Sequence, residues 1–186
     1  DWLPMEVNGR IFRVSAGSFF QVNTAQAGAM VQFLQEVLPL DRQTTLLDVY
    51  CGVGLFSAFL ADKAGRCIGI EQSPTACEDY AFNLDQTQNV ELYVGAAEEI
   101  LPALRVSENI IAVVDPPRAG LDRHALDALV ALQPRWIAYV SCDPATLARD
   151  LKRLVSAGYS LERVTPFDLF PQTYHIESIS LLRRSG

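Results

Sequence analysis

No apolar run in the 186 residues approaches the length of a membrane span, and the amino end has no basic segment followed by an apolar stretch of the secretory kind. The expectation is a cytoplasmic protein. The four cysteines, Cys51, Cys67, Cys77 and Cys142, lack any paired C-x-x-C spacing, so neither a zinc site nor a disulfide framework is indicated and no metal ligands are assigned. Internal repeats, low-complexity stretches and linkers are missing as well. Basic residues are scarce: 15 Lys and Arg stand against 22 Asp and Glu, a net charge of -7, with short clusters at Arg149, Lys152, Arg153 and at Arg183, Arg184. An autonomous nucleic-acid binder presents more positive surface, because phosphate neutralisation supplies most of its affinity. If the substrate is a nucleic acid, something else helps to hold it.

What is present is a compact α/β pattern. With 49% hydrophobic and 20% charged residues the chain can bury a sizeable core. Met5 to Val14 alternates polar and apolar residues around Asn8-Gly9, a hairpin signal, and reads as a small β-ribbon. A helix follows an N-cap at Asn23 or Thr24 and stops at Pro39. Strands are expected at Thr45 to Val49, Arg66 to Ile70, Val90 to Val94, Ile110 to Val114 and Trp136 to Val140. Helices fall between and after them: Leu55 to Lys63, Ser73-Pro74 to about Thr87, a short one within Ala96 to Leu104, Arg123 to Leu132, and Pro144 to Ser156. Two last strands, Leu161 to Thr165 and Ile176 to Leu182, have no helix between them and so should pair antiparallel at one edge. Continuous apolar strands separated by helices predict a doubly wound, mostly parallel, Rossmann-like seven-stranded sheet covered on both faces. The domains are a ribbon extension over 1–22 and a main domain over 23–186.

Two places in this pattern carry chemistry. Asp48-Val49-Tyr50-Cys51-Gly52-Val53-Gly54 lies between the first strand and its helix, where Gly52 and Gly54 let the backbone turn and approach a ligand. Glu71 ends the second strand at the distance expected of an acid that holds ribose hydroxyls. Together they mean a nucleoside-bearing cofactor. A nicotinamide dinucleotide uses a similar loop, but the third glycine position is Ser57. Asp48, which would repel a pyrophosphate, suits the cationic ammonium and sulfonium of S-adenosylmethionine. At the other place, Ser141-Cys142-Asp143-Pro144 ends the fifth strand just before a helix, where the helix dipole favours a thiolate. Cys142 is the candidate nucleophile, against the alternative of a core cysteine. Asp115-Pro116-Pro117-Arg118 ends the fourth strand, and its prolines hold the chain rigid with Asp115 directed into the cleft. Arg118 reads as a phosphate contact or as a solvated side chain.

These motifs, with Phe19-Phe20-Gln21-Val22-Asn23, Thr146-Leu147-Ala148-Arg149-Asp150-Leu151 and Phe170-Pro171-Gln172-Thr173 followed by His175-Ile176-Glu177, resemble the S-adenosylmethionine-dependent RNA uracil-5-methyltransferase family along nearly the whole chain. The resemblance implies a methyltransferase sheet and S-adenosylmethionine as cofactor. It also implies Cys142 as nucleophile, Glu177 as base, and Gln21, Tyr50, Glu71 and Asp115 lining the cofactor and the reacting base. The partner implied is an RNA, tRNA or rRNA, whose uridine is single-stranded or flipped out. That RNA is held with help from domains this chain lacks, by a monomer with no membrane role. Two positions depart from the family: Asp143 stands where asparagine is usual, and Leu55 follows the second loop glycine where asparagine is frequent. The competing readings are a cytosine C5 methyltransferase, which commonly places cysteine where Arg118 stands, and a noncatalytic methyltransferase-like binding module.

Overall fold

The computed structural model describes residues 1–21, 23–106, 109–168 and 176–186. Strands β1 (Trp2–Val7) and β2 (Arg10–Ser15) form an antiparallel ribbon. Its turn takes Asn8 and Gly9 through φ of 47° and 79°, the doubly left-handed geometry that Asn-Gly favours. The ribbon is not a free arm. Val7 and Phe12 are buried in the same core as the helix that follows, and the Asn8 amide donates to the Gly28 carbonyl at 3.1 Å.

Helix α1 (Thr24–Val37) starts where the Asn23 side chain accepts from the Gln26 amide, and buries Ala27, Met30, Val31 and Leu34. From there strands and helices alternate: β3 (Thr45–Val49), α2 (Leu55–Leu60), β4 (Arg66–Glu71), α3 (Pro74–Asn83), β5 (Val90–Val94), α4 (Ala97–Ile100), β6 (Ile110–Val114), α5 (Arg123–Ala131), β7 (Trp136–Ser141) and α6 (Pro144–Ser156). The chain ends with β8 (Tyr159–Phe167) and β9 (Glu177–Arg184). The seven-stranded sheet has the order β5-β4-β3-β6-β7-β9-β8, parallel through β7 and antiparallel at β9 and β8. One face packs Leu46, Ile111, Val113 and Val140 beneath α1 and α2; the other packs Leu47, Val114, Ile137 and Tyr139 beneath α5 and α6. Among the described residues no helix is long and apolar enough to cross a membrane.

The elements agree with the sequence pattern, and their ends differ where pairing takes over from local signals. The helix expected to reach Lys63 becomes a 3-10 turn over Ala61–Lys63, and α3 stops four residues before Thr87. Strand β8 runs from Tyr159 to Phe167 because every residue but Glu162 is paired with β9, the bulge between Leu161 and Arg163 absorbing the extra one. Pro166 is tolerated because β8 is an edge strand. The order reverses between β3 and β6, whose chain continuations leave in opposite directions and open a cleft above their carboxyl ends.

Candidate active site

The loop from β3 to α2 puts three left-handed residues within five positions: Tyr50, Gly52 and Gly54 at φ of 64°, 54° and 92°. This coil turns the Gly52 amide toward Glu71 Oε2, 3.0 Å away, while Glu71 Oε1 accepts from the amides of Gln72 and Ser73. Glu71 is thereby fixed at the rim of a cleft of about 470 Å³, lined also by Tyr50, Gln72, Ala97 and Leu121. Burial pushes the Tyr50 phenol up to about 12, so it stays a neutral hydrogen-bond donor. The two glycines do different work. A Cβ on Gly54 would stand 2.4 Å from Leu84 and 2.9 Å from Tyr80, so this residue serves helix packing. Gly52 has no atom nearer than 3.9 Å to such a Cβ, that atom being the Phe19 carbonyl oxygen, and so its backbone is open to close approach.

The segment bearing Gln21 is tied down from below. Buried Asp79 accepts from the Ser15 amide and hydroxyl and from the Ser18 hydroxyl, all within 2.8 Å, and forms an ion pair with Arg13 at 2.9 Å. Gln21 itself is 5% exposed, and its Oε1 has no hydrogen-bond partner among the described residues. Asp48 corrects an expectation. It is wholly buried, its Oδ2 accepting from the Ser57 amide and hydroxyl at 2.9 and 2.6 Å, and it offers no surface to a cationic ligand in the cleft. Burial pushes its carboxyl up to about 6.

Across the sheet, β7 and β9 pair Ser141 with Ser178, so the next step of the ladder sets Cys142 beside Glu177. Of the four cysteines only Cys142 is not buried. Asp143 closes the turn: its Oδ1 caps α6 by accepting from the Thr146 amide at 2.9 Å, and its own amide donates to Ser141 Oγ. The departure from asparagine therefore places a carboxylate on the helix end, where the same bond holds its pKa below the usual range. A second expectation is corrected at the sulfur. Burial first, and then the charge of Glu177, push the Cys142 thiol up rather than down, and the charge of the Arg118 guanidinium opposes them. Glu177 is 4% exposed and burial pushes it up to about 7, with Arg118 again opposing. Asp115, whose amide donates to the Val49 carbonyl, is pushed well up by burial and by Glu177. Cys142, Glu177, Asp115 and Arg118 thus form one electrostatic cluster.

Arg118 is the residue whose place the sequence pattern did not reveal. Its loop is locked from α6: wholly buried Asp150 accepts from the Leu121 amide and the Tyr139 hydroxyl, Arg149 donates to the Ala119 carbonyl, and Thr146 Oγ1 donates to the Arg118 carbonyl. Gly120 is needed there, since its φ is 78° and a Cβ would lie 2.5 Å from both Arg149 and Asp150. Phe170 to His175 lie outside the described residues.

The family model described as tRNA (uracil-5-)-methyltransferase matches residues 2–185. An uncharacterized RNA methyltransferase of Bacillus cereus is 44% identical over 178 residues, covering 93% of this chain and 38% of the relative; one of Oceanobacillus iheyensis is 42% identical, covering 92% and 38%. The chain therefore spans about two fifths of the length of these relatives. The solved Pyrococcus abyssi tRNA (uracil-54, C5)-methyltransferase, in complex with S-adenosyl-L-homocysteine, superposes with a TM-score of 0.83 at 31% identity, covering 97% of this chain and 44% of that one. An rRNA methylase from Streptococcus thermophilus, 17% identical with a TM-score of 0.68, shares the fold. Matched almost from end to end, this chain belongs to the tRNA (uracil-5-)-methyltransferase family.

Proposed function

We propose that this chain is the catalytic part of an RNA methyltransferase that methylates carbon 5 of a uridine through a covalent Cys142 adduct, with Glu177 as the base. Residues 23–186 are its methyltransferase domain and 1–22 a ribbon extension. The single observation that carries the reading is the pairing of β7 with β9, which brings a partly exposed thiol beside a buried carboxyl across 35 residues of chain. Cofactor-binding residues fit the same reading: Gly52 offers open backbone, Glu71 and Tyr50 line the cleft, and Gln21 holds an unmatched acceptor. Bound S-adenosylmethionine would supply a methyl group from a cationic sulfonium.

Carbon 5 of uracil is a poor nucleophile until the ring gains electrons, which is what covalent addition provides. The thiol of Cys142 loses its proton to water, and the sulfur adds to carbon 6. The electron pair of the ring double bond then moves into an enolate whose carbon 5 takes the methyl group. Glu177, ionised, removes the carbon 5 proton, the double bond reforms, and the sulfur–carbon bond breaks to return the thiolate. Arg118 stabilises that thiolate. Asp115, in the same cluster at the end of β6, lines the place of the reacting base.

The chain, with S-adenosylmethionine, should form a covalent adduct with structured transcripts carrying 5-fluorouridine throughout, seen as a band stable in denaturing gels. Cys142→Ala should form none. An adduct in that variant, or none with the parent, overturns the proposal. With ordinary uridine, Glu177→Gln should slow turnover by about 10² to 10⁴ while adduct accumulates.

A further inference from the structure

Helices α5 and α6 enclose a groove of about 670 Å³ whose charged lining is Arg123, Arg149, Lys152, Arg153 and Asp127. Four positive charges against one negative is a sharp local reversal in a chain of net charge -7. On α6 the three basic residues sit at i, i+3 and i+4, the spacing that puts side chains on one helix face. The groove adjoins the cleft that Tyr50 and Glu71 line, because Arg123, Arg149 and Arg153 border both. Arg149 is held in place by the Ala119 carbonyl and Asp150, whereas Lys152 and Arg153 are exposed and the Arg123 side chain, 77% exposed, lies 3.9 Å from Asp127. From Pro144, close in the chain to Cys142, to Arg153 the helix runs about 14 Å, long enough to meet successive phosphates of a strand leading away from the thiol.

We propose that the α5–α6 groove is a docking track for the phosphodiester backbone of the RNA strand leading away from Cys142 along α6, an inference that rests on the RNA methyltransferase reading above. Arg123, Lys152 and Arg153 neutralise phosphates, and Arg149 sets the start of the track while holding the Arg118 loop. Backbone contacts of this kind give salt-dependent affinity without sequence preference.

The test is binding of a fluorescein-labelled 20-residue oligouridylate to the chain across a salt series, for the parent and for the triple variant Arg123→Gln, Lys152→Gln, Arg153→Gln. Each single-strand phosphate contact contributes about 0.7 to the slope of log affinity against log salt, so the triple variant should lose about 2 from the slope and about 100-fold in affinity near 0.1 M salt. An unchanged slope, or a parent that does not bind the RNA, overturns the groove proposal. Tighter parent binding of poly-glutamate than of RNA of equal charge also overturns it, in favour of an acidic protein partner. The 5-fluorouridine adduct reads the methyltransferase function separately: adduct formation by a parent whose slope the triple substitution leaves unchanged would sink the groove alone, and its absence would sink the function.

Discussion

Cys142 sits between opposing charges, and its neighbours decide its reactivity more than the helix it precedes. Asp143 occupies the helix end that would otherwise favour the thiolate, Glu177 disfavours it, and Arg118 favours it without outweighing burial. Glu177→Gln should therefore lower the pH at which Cys142 alkylates, and Arg118→Gln should raise it. Iodoacetamide rates across pH 6 to 10 measure this, with Cys142→Ala as the blank for the three buried thiols. Identical profiles for parent and Glu177→Gln would mean that carboxylate and sulfur do not sense one another. In the parent, methyl transfer should rise with pH through about 7, because the base must be ionised and the thiol must lose its proton.

At the scale of elements, the loop after β3 separates two glycines that look equivalent in the sequence. Gly54→Ala would press a Cβ against Leu84 and Tyr80 in a left-handed conformation and should cost about 3 kcal/mol, whereas Gly52→Ala meets no clash and should cost about 1 kcal/mol while weakening S-adenosylhomocysteine binding. Urea unfolding and calorimetric titration distinguish the two; equal destabilisation would refute the packing role of Gly54. Sequence signals of short range survive into the structure: Asn8-Gly9 makes the ribbon turn, Asn23 and Ser73-Pro74 start α1 and α3, and the apolar runs become the five parallel strands. What the sequence concealed depends on pairing across the sheet. The direction of Asp48 follows from its pleat position and from Ser57 nine residues on, the reach of Arg118 to the sulfur needs β6 beside β7, and the Asp150 lock joins residues about thirty apart. Cys142 and Glu177 could be joined beforehand only through their family motifs, since no local pattern predicts that β9 returns antiparallel beside β7.

For the molecule as a whole, the site imposes an acid cluster on the carboxyl ends of the sheet, and that cluster should show in global stability. Asp48, Asp115 and Glu177 are all pushed up by burial, and Asp115 is raised further by the other two. A carboxyl whose folded pKa lies above its unfolded value binds its proton more tightly in the native state, so its contribution is fully present below about pH 4 and is lost as pH rises through the folded value. Asp79 and Asp143, whose pKa values are lowered, act in the opposite sense and only at lower pH. For Asp48 the rise from 3.8 to about 6 corresponds to about 3 kcal/mol of lost stability at neutral pH. Asp48→Asn removes the charge while keeping an oxygen acceptor for the Ser57 amide and hydroxyl. Its stability relative to the parent should therefore improve by about 2 kcal/mol between pH 4 and pH 7.5, measured as the change in urea-unfolding free energy at each pH. A difference that stays constant over that range would mean that Asp48 is ionised in the folded protein throughout, and that the closed pocket around Ser57 does not govern its charge.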